Sequence, residues 1–126
     1  VLDPYIKKGV VDLIDWPFPS NNVQEWDAVQ IEAYNNGWHL AYGKTKWLAI
    51  LDSDEFLFPT QTGNIGKFLM YFEKFSHIGG VCVNWVMYGT SNIPKIPDDK
   101  LLIETLVFSN GLGNEHFKSI IRPEKV

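Results

Sequence analysis

Three carboxylates fall within four residues, at Asp52, Asp54 and Glu55, directly after the apolar run K-W-L-A-I-L of Lys46 to Leu51. Like charges crowded at the edge of a core repel one another, and the arrangement costs free energy unless something positive stands nearby. A hard divalent cation such as Mg2+ or Mn2+ meets that need. It prefers carboxylate oxygens, keeps several waters and is commonly completed by substrate phosphates, so it would bridge the protein to a diphosphate. The alternative is local: one acid caps the following turn and the others face solvent.

The same D-x-D spacing after an apolar strand also resembles the haloacid-dehalogenase-like phosphatases, in which the first Asp is the nucleophile and the second an acid. That likeness would make Asp52 the site of an aspartyl-phosphate. The phosphatase motif continues with Thr or Val two residues after its second Asp, whereas this chain has Phe56, and the pair Asp98-Asp99 lies in a loop with prolines instead of following a strand.

The elements that must position these carboxylates are read from periodicity and punctuation. Leu2 to Lys8 is expected to end a helix closed by Gly9. The β-branched run from Val10 to Trp16 predicts a strand, followed by a loop over Pro17, Pro19 and Ser20. Asn22 with Glu25 opens a helix over about 23–42, in which Ala28, Ile31, Trp38 and Tyr42 recur at helical spacing. Lys46 to Leu51 is a short continuous apolar run and predicts a buried, parallel strand. Gly63 and Asn64 open a second helix with Ile65, Phe68, Leu69, Phe72 and Phe75 on one face. Val81 to Tyr88 predicts the next strand, Gly89 to Asp99 a covering loop, and Phe117 to Ile121 a last strand, with Leu101 to Phe108 open between helix and strand.

Strand, helix, strand, helix, strand is the alternation of an α/β fold with a mostly parallel sheet and helices on both faces. In such sheets ligands bind beyond the carboxyl ends of the strands, which is where Asp52 to Glu55 would fall.

Composition narrows the classes. With 126 residues, 45% hydrophobic and 14% aromatic, the chain has the material for a packed core. A net charge of -4 with 21% charged residues fits neither a disordered segment nor a basic nucleic-acid binder, so no nucleic acid partner is expected. Cys82 is the single cysteine and no Asn-x-Ser/Thr acceptor occurs, which inclines the reading toward the cytoplasm. The apolar stretches fall far below the roughly 20 residues of a membrane span. The chain opens on Val1, and the expectation is a partial domain over residues 1–126 that lacks a first strand unit and a C-terminal part.

Several blocks together resemble a known family. The string K-W-L-A-I-L-D-S-D-E-F-L-F-P, preceded by A-Y-N-N-G and followed by V-N-W-V-M-Y-G-T-S-N and K-S-I-I-R-P, is similar to glycosyltransferase family 92 and its bacterial relatives in the glycosyltransferase 2-like group, over roughly Pro4-Tyr5 to the end. The resemblance implies a nucleotide-sugar-binding, Rossmann-like fold of glycosyltransferase A type, a UDP-sugar donor, a Mn2+ or Mg2+ ion, and hexose transfer to a glycan or glycoconjugate acceptor. It allows a Golgi lumen for a eukaryotic source. It implies Asp54 as metal ligand, with Asp52 on the ribose or on the metal through water, while Glu55 and Phe56 shape the site. Trp85 would lie beneath the donor sugar or serve only the core. Lys118 and Arg122 would offset charge on the departing diphosphate or stand as strand-edge cations. Glu104, ahead of Asp98 and Asp99, is the candidate general base, and an exposed helix position is its alternative. Ser91 and Asn92 would bond a sugar or form the turn. A catalytically silent nucleotide- or glycan-binding domain of the same fold is the second reading.

Overall fold

Asparagine side chains cap the starts of the two longer helices, at Asn22 and Asn64, and left-handed glycines follow the ends of two helices. The computed structural model describes residues 2–126, and of Leu112 only the backbone. The chain divides into two compact units, Val1–His39 and Leu40–Val126. In the first unit, α1 (Asp3–Lys7) carries Pro4 in its first turn and closes at Gly9, whose φ of +66° suits a residue without Cβ. Helix α2 (Val23–Ala41) starts where Asn22 Oδ1 accepts the Glu25 N–H at 2.9 Å and Glu25 Oε2 accepts the Asn21 N–H at 2.7 Å. It stops short of Gly43, at φ +69°.

The strand expected over Val10 to Trp16 does not form. Among the described residues the first unit holds no strand, so this run has no ladder to join. Val10 and Leu13 are left exposed. β-branched content favours an extended backbone but cannot supply the partner that makes it a strand.

In the second unit, β1 is short (Leu48–Ala49), α3 spans Ile65–Glu73, β2 Gly80–Tyr88, α4 Leu102–Thr105 and β3 Ser109–Ile121, with a 3₁₀ turn at Pro123–Lys125. Asn64 caps α3 by accepting the Lys67 N–H at 3.0 Å. Glu73, at its other end, receives Lys46 Nζ at 3.0 Å and Trp47 Nε1 at 3.2 Å, tying the helix to the segment that leads into β1.

The sheet corrects the expected fold class. Its order is β1-β3-β2 and both pairings are antiparallel, so it is not the mostly parallel, Rossmann-like sheet of a glycosyltransferase A-type domain. Because β1 and β2 are each antiparallel to β3, they point the same way, as the strand–helix–strand segment requires. The slot between them is filled by the last strand. Strand β3 is also longer than the apolar signal at Phe117 to Ile121: its early part, rich in Gly and Asn, pairs with Val86 and Tyr88 across two register shifts. Ladder bonds are made by backbone groups, so such a stretch needs no apolar pattern to join a sheet.

Ile120 is fully buried, 1% exposed, and in register with Ala49 on one side and Val81 on the other. Leu69 of α3 is also buried. The loop after β2 turns through Ser91 and Asn92, at φ 53° and 60°. Ser91 Oγ accepts the N–H groups of Val107 at 2.8 Å and Phe108 at 2.9 Å, which pins the loop beside the start of β3. Among the described residues, no helix is long and apolar enough to cross a membrane.

Candidate functional site

Strand β1 leaves the sheet just before the acidic cluster. Ala49 is in register with Ile120, Ile50 N–H still reaches Ser119 O at 3.3 Å, and the chain then turns. Asp52 to Glu55 form a four-residue turn closed twice: Glu55 N–H donates to Asp52 O at 3.1 Å, and Glu55 Oε2 accepts the Asp52 N–H at 3.0 Å. Ser53 and Asp54 therefore occupy its corner.

The turn meets β3 through Lys118. In register with Val83, Lys118 sends Nζ to Asp52 Oδ2 at 2.8 Å and to Glu55 Oε2 at 3.2 Å. The same ammonium lies 5.2 Å from the centre of the Trp85 ring, within range of a cation–π contact. His116 sits against the other part of this group, its ring 5.4 Å from that of Trp85. Burial works against the charge on Lys118, yet its hydrogen bonds and proximity to Asp52 and Glu55 prevail and hold its pKa above the ordinary lysine value. The indole N–H of Trp85 is buried and has no hydrogen-bond partner.

These residues open on a cleft of about 700 Å³, a volume within the range of small-molecule sites. Asp52, Asp54, Glu55, Trp85 and Lys118 all line it. The rest of its wall is largely apolar and includes Phe56, Phe58, Met87, Ile103 and Val107.

Of the residues singled out in the sequence, the structure brings Asp52, Asp54, Trp85 and Lys118 together and leaves two apart. Arg122 lies four residues beyond Lys118, about 13 Å at strand rise. It packs its guanidinium 5.7 Å from the Trp47 ring and reaches Phe75 O at 3.5 Å. Glu104 accepts the Leu101 N–H at 3.1 Å and so caps its own short helix, while Leu102, Ile103 and Leu106 around it face the cleft. Asp98 is on an exposed loop, 3.6 Å from Lys95, and neither it nor Asp99 lines the cleft. Ser91 is used by its turn. By sequence α4 comes to the site through Glu104, whereas in the structure its apolar Leu102 and Ile103 line the cleft, which 101–108 does not show because it carries no decisive period. The place of His116 beside Trp85 depends on the irregular register of β2 and β3 and has no local signal.

A family model, that of glycosyltransferase family 92, matches residues 1–126. The chain belongs to glycosyltransferase family 92. No curated protein and no solved structure matches it. As a family 92 chain it is a glycosyltransferase sequence, for which a sugar donor and an acceptor are the expected partners. The dehalogenase-type phosphatase alternative has no counterpart in this result, and the second acidic pair it needs stands away from the cleft.

The donor set can be weighed for a divalent ion. Among the described residues, no three His, Cys, Asp or Glu side chains form a ready-made cage. Hard ions that keep their waters and take phosphate oxygens do not need one. Three carboxylates against one ammonium leave two uncompensated negative charges at the turn, and Asp54 lines the cleft without a hydrogen bond or ion pair to another described residue. The residues fit such an ion.

Proposed function

We propose that this family 92 chain binds a UDP-hexose through Mn2+ or Mg2+ and takes part in moving the hexose to a glycan or glycoconjugate acceptor. The observation that carries the reading is the convergence of Asp52, Asp54, Lys118 and Trp85 on one cleft, with two negative charges in excess at its acidic end. Asp54 and Asp52 would hold the ion, which when bound supplies positive charge to the donor's diphosphate. Lys118, kept charged by its carboxylate partners, adds an ammonium on the same wall, where it can offset charge on the leaving diphosphate. Trp85 lines the same cleft, where an aromatic ring would suit the apolar face of a sugar.

The reading is tested by calorimetric titration of UDP and UDP-sugars into the protein, with and without Mn2+. Manganese-dependent binding is expected in the wild type and none in Asp54→Asn, with the far-ultraviolet spectrum of the variant unchanged. Equal affinity in the two proteins would remove Asp54 from the site.

One observation favours a second reading, a catalytically silent nucleotide- or glycan-binding domain: Lys118 already bridges Asp52 and Glu55. That reading expects donor binding without turnover of a UDP-sugar by the full-length protein, whereas the first expects turnover.

A further inference from the structure

Glu55 makes more contacts inside the protein than the other carboxylates of the cluster, although it also lines the cleft. Its Oε2 accepts the Asp52 N–H at 3.0 Å and faces Lys118 Nζ at 3.2 Å, while its own N–H closes the turn on Asp52 O at 3.1 Å. Its side chain is 19% exposed, against 44% for Asp52. From these contacts we infer that Glu55 is a positioning residue: it is the bracket that holds the Asp52 turn and Lys118 in place, and it does not itself ligate the metal or touch the donor. The inference rests on the metal-dependent reading above for its consequence in binding, and on geometry alone for the bracket.

A single oxygen serves both partners. The turn needs a hydrogen-bond acceptor at that point, and Lys118 needs negative charge near it, which Asp52 also provides at 2.8 Å. An uncharged amide oxygen can still accept the Asp52 N–H, so Glu55→Gln keeps the turn closed and weakens only one of the two ion pairs. Glu55→Ala removes the acceptor and leaves the Asp52 N–H and one side of Lys118 without their partner. Groups that orient a metal ligand in this indirect way typically cost 10–100-fold in affinity when lost. A direct ligand behaves differently, because a neutral amide is a much poorer donor to a hard cation than a carboxylate is.

The test uses two measurements on wild type, Glu55→Gln and Glu55→Ala. Calorimetry with Mn2+ alone reads affinity, and hydrogen exchange of the Asp52 amide by NMR reads the bracket without any metal. We expect Glu55→Ala to bind Mn2+ at least about tenfold more weakly and to exchange the Asp52 amide at least about tenfold faster. Glu55→Gln should recover both to within about threefold of wild type. Loss of Mn2+ binding in Glu55→Gln equal to that in Glu55→Ala would make Glu55 a direct ligand and overturn the inference, as would an Asp52 amide that exchanges alike in all three. If wild type does not bind Mn2+, the metal-dependent reading fails on its own. The bracket is then judged by the amide: fast exchange in Glu55→Ala and slow exchange in Glu55→Gln support it, and unchanged exchange in Glu55→Ala rejects it.

Discussion

Lys118 is where two distant parts of the sequence meet, since its ammonium donates to Asp52, 66 residues earlier in the chain. With its side chain 18% exposed, the pair is less screened than a surface salt bridge, and the lysine also covers part of Trp85. Lys118→Met keeps the stem and deletes the charge, leaving Asp52 and Glu55 facing each other without compensation. Urea unfolding at neutral pH is expected to register a loss of about 1–3 kcal/mol. The sign with pH follows from the raised pKa of Lys118. Its contribution is complete below the ordinary lysine value of about 10.4 and is lost as pH rises through the higher folded value. The alkaline decline in stability should therefore be smaller in Lys118→Met than in wild type.

Among the elements, β3 decides the most. It is the central strand, it sets the register of both neighbours, and it carries Lys118 to the cleft, His116 to the Trp85 ring and Ile120 to the core. Ile120 is held between Ala49 and Val81, and truncating it opens a cavity where the three strands join. Ile120→Ala is expected to cost about 2–5 kcal/mol in chemical denaturation. Because Lys118 is two residues away on the same face, the variant should also weaken any Mn2+-dependent binding at temperatures where the fold persists. A destabilisation of about 2–5 kcal/mol without change in binding would separate the core from the site. Helix α3, by contrast, has a local start at Asn64, while Glu73 fastens its other end to the distant Lys46 and Trp47.

At the scale of the whole molecule, both compact units carry a carboxylate held below its usual pKa. In the first, backbone and side-chain hydrogen bonds from Asn21 lower Glu25; in the second, hydrogen bonds from Lys46 and then Trp47 lower Glu73. A depressed folded pKa gives stability that is present above the ordinary value of about 4.3 and is lost as pH falls through the folded one. Melting temperatures followed by circular dichroism between about pH 6 and pH 3 should fall on the acid side, and Glu25→Gln or Glu73→Gln should each flatten part of that slope. A slope unchanged in both variants would assign acid unfolding to other groups. The family match spans both units. Features made by neighbours in the chain were legible: the caps at Asn22 and Asn64, the left-handed Gly9, the helices they bound, and the acidic turn placed directly after an apolar run. The order of the strands was not, nor the absence of a partner for Val10 to Trp16, nor the choice of Lys118 over Arg122 as the cation of the cluster. Strand pairing is made by backbone groups that are alike at every residue, so a parallel and an antiparallel sheet can share one alternation of elements. Only the register of β3 between β1 and β2 decides which side chains from distant segments come within reach of Asp52.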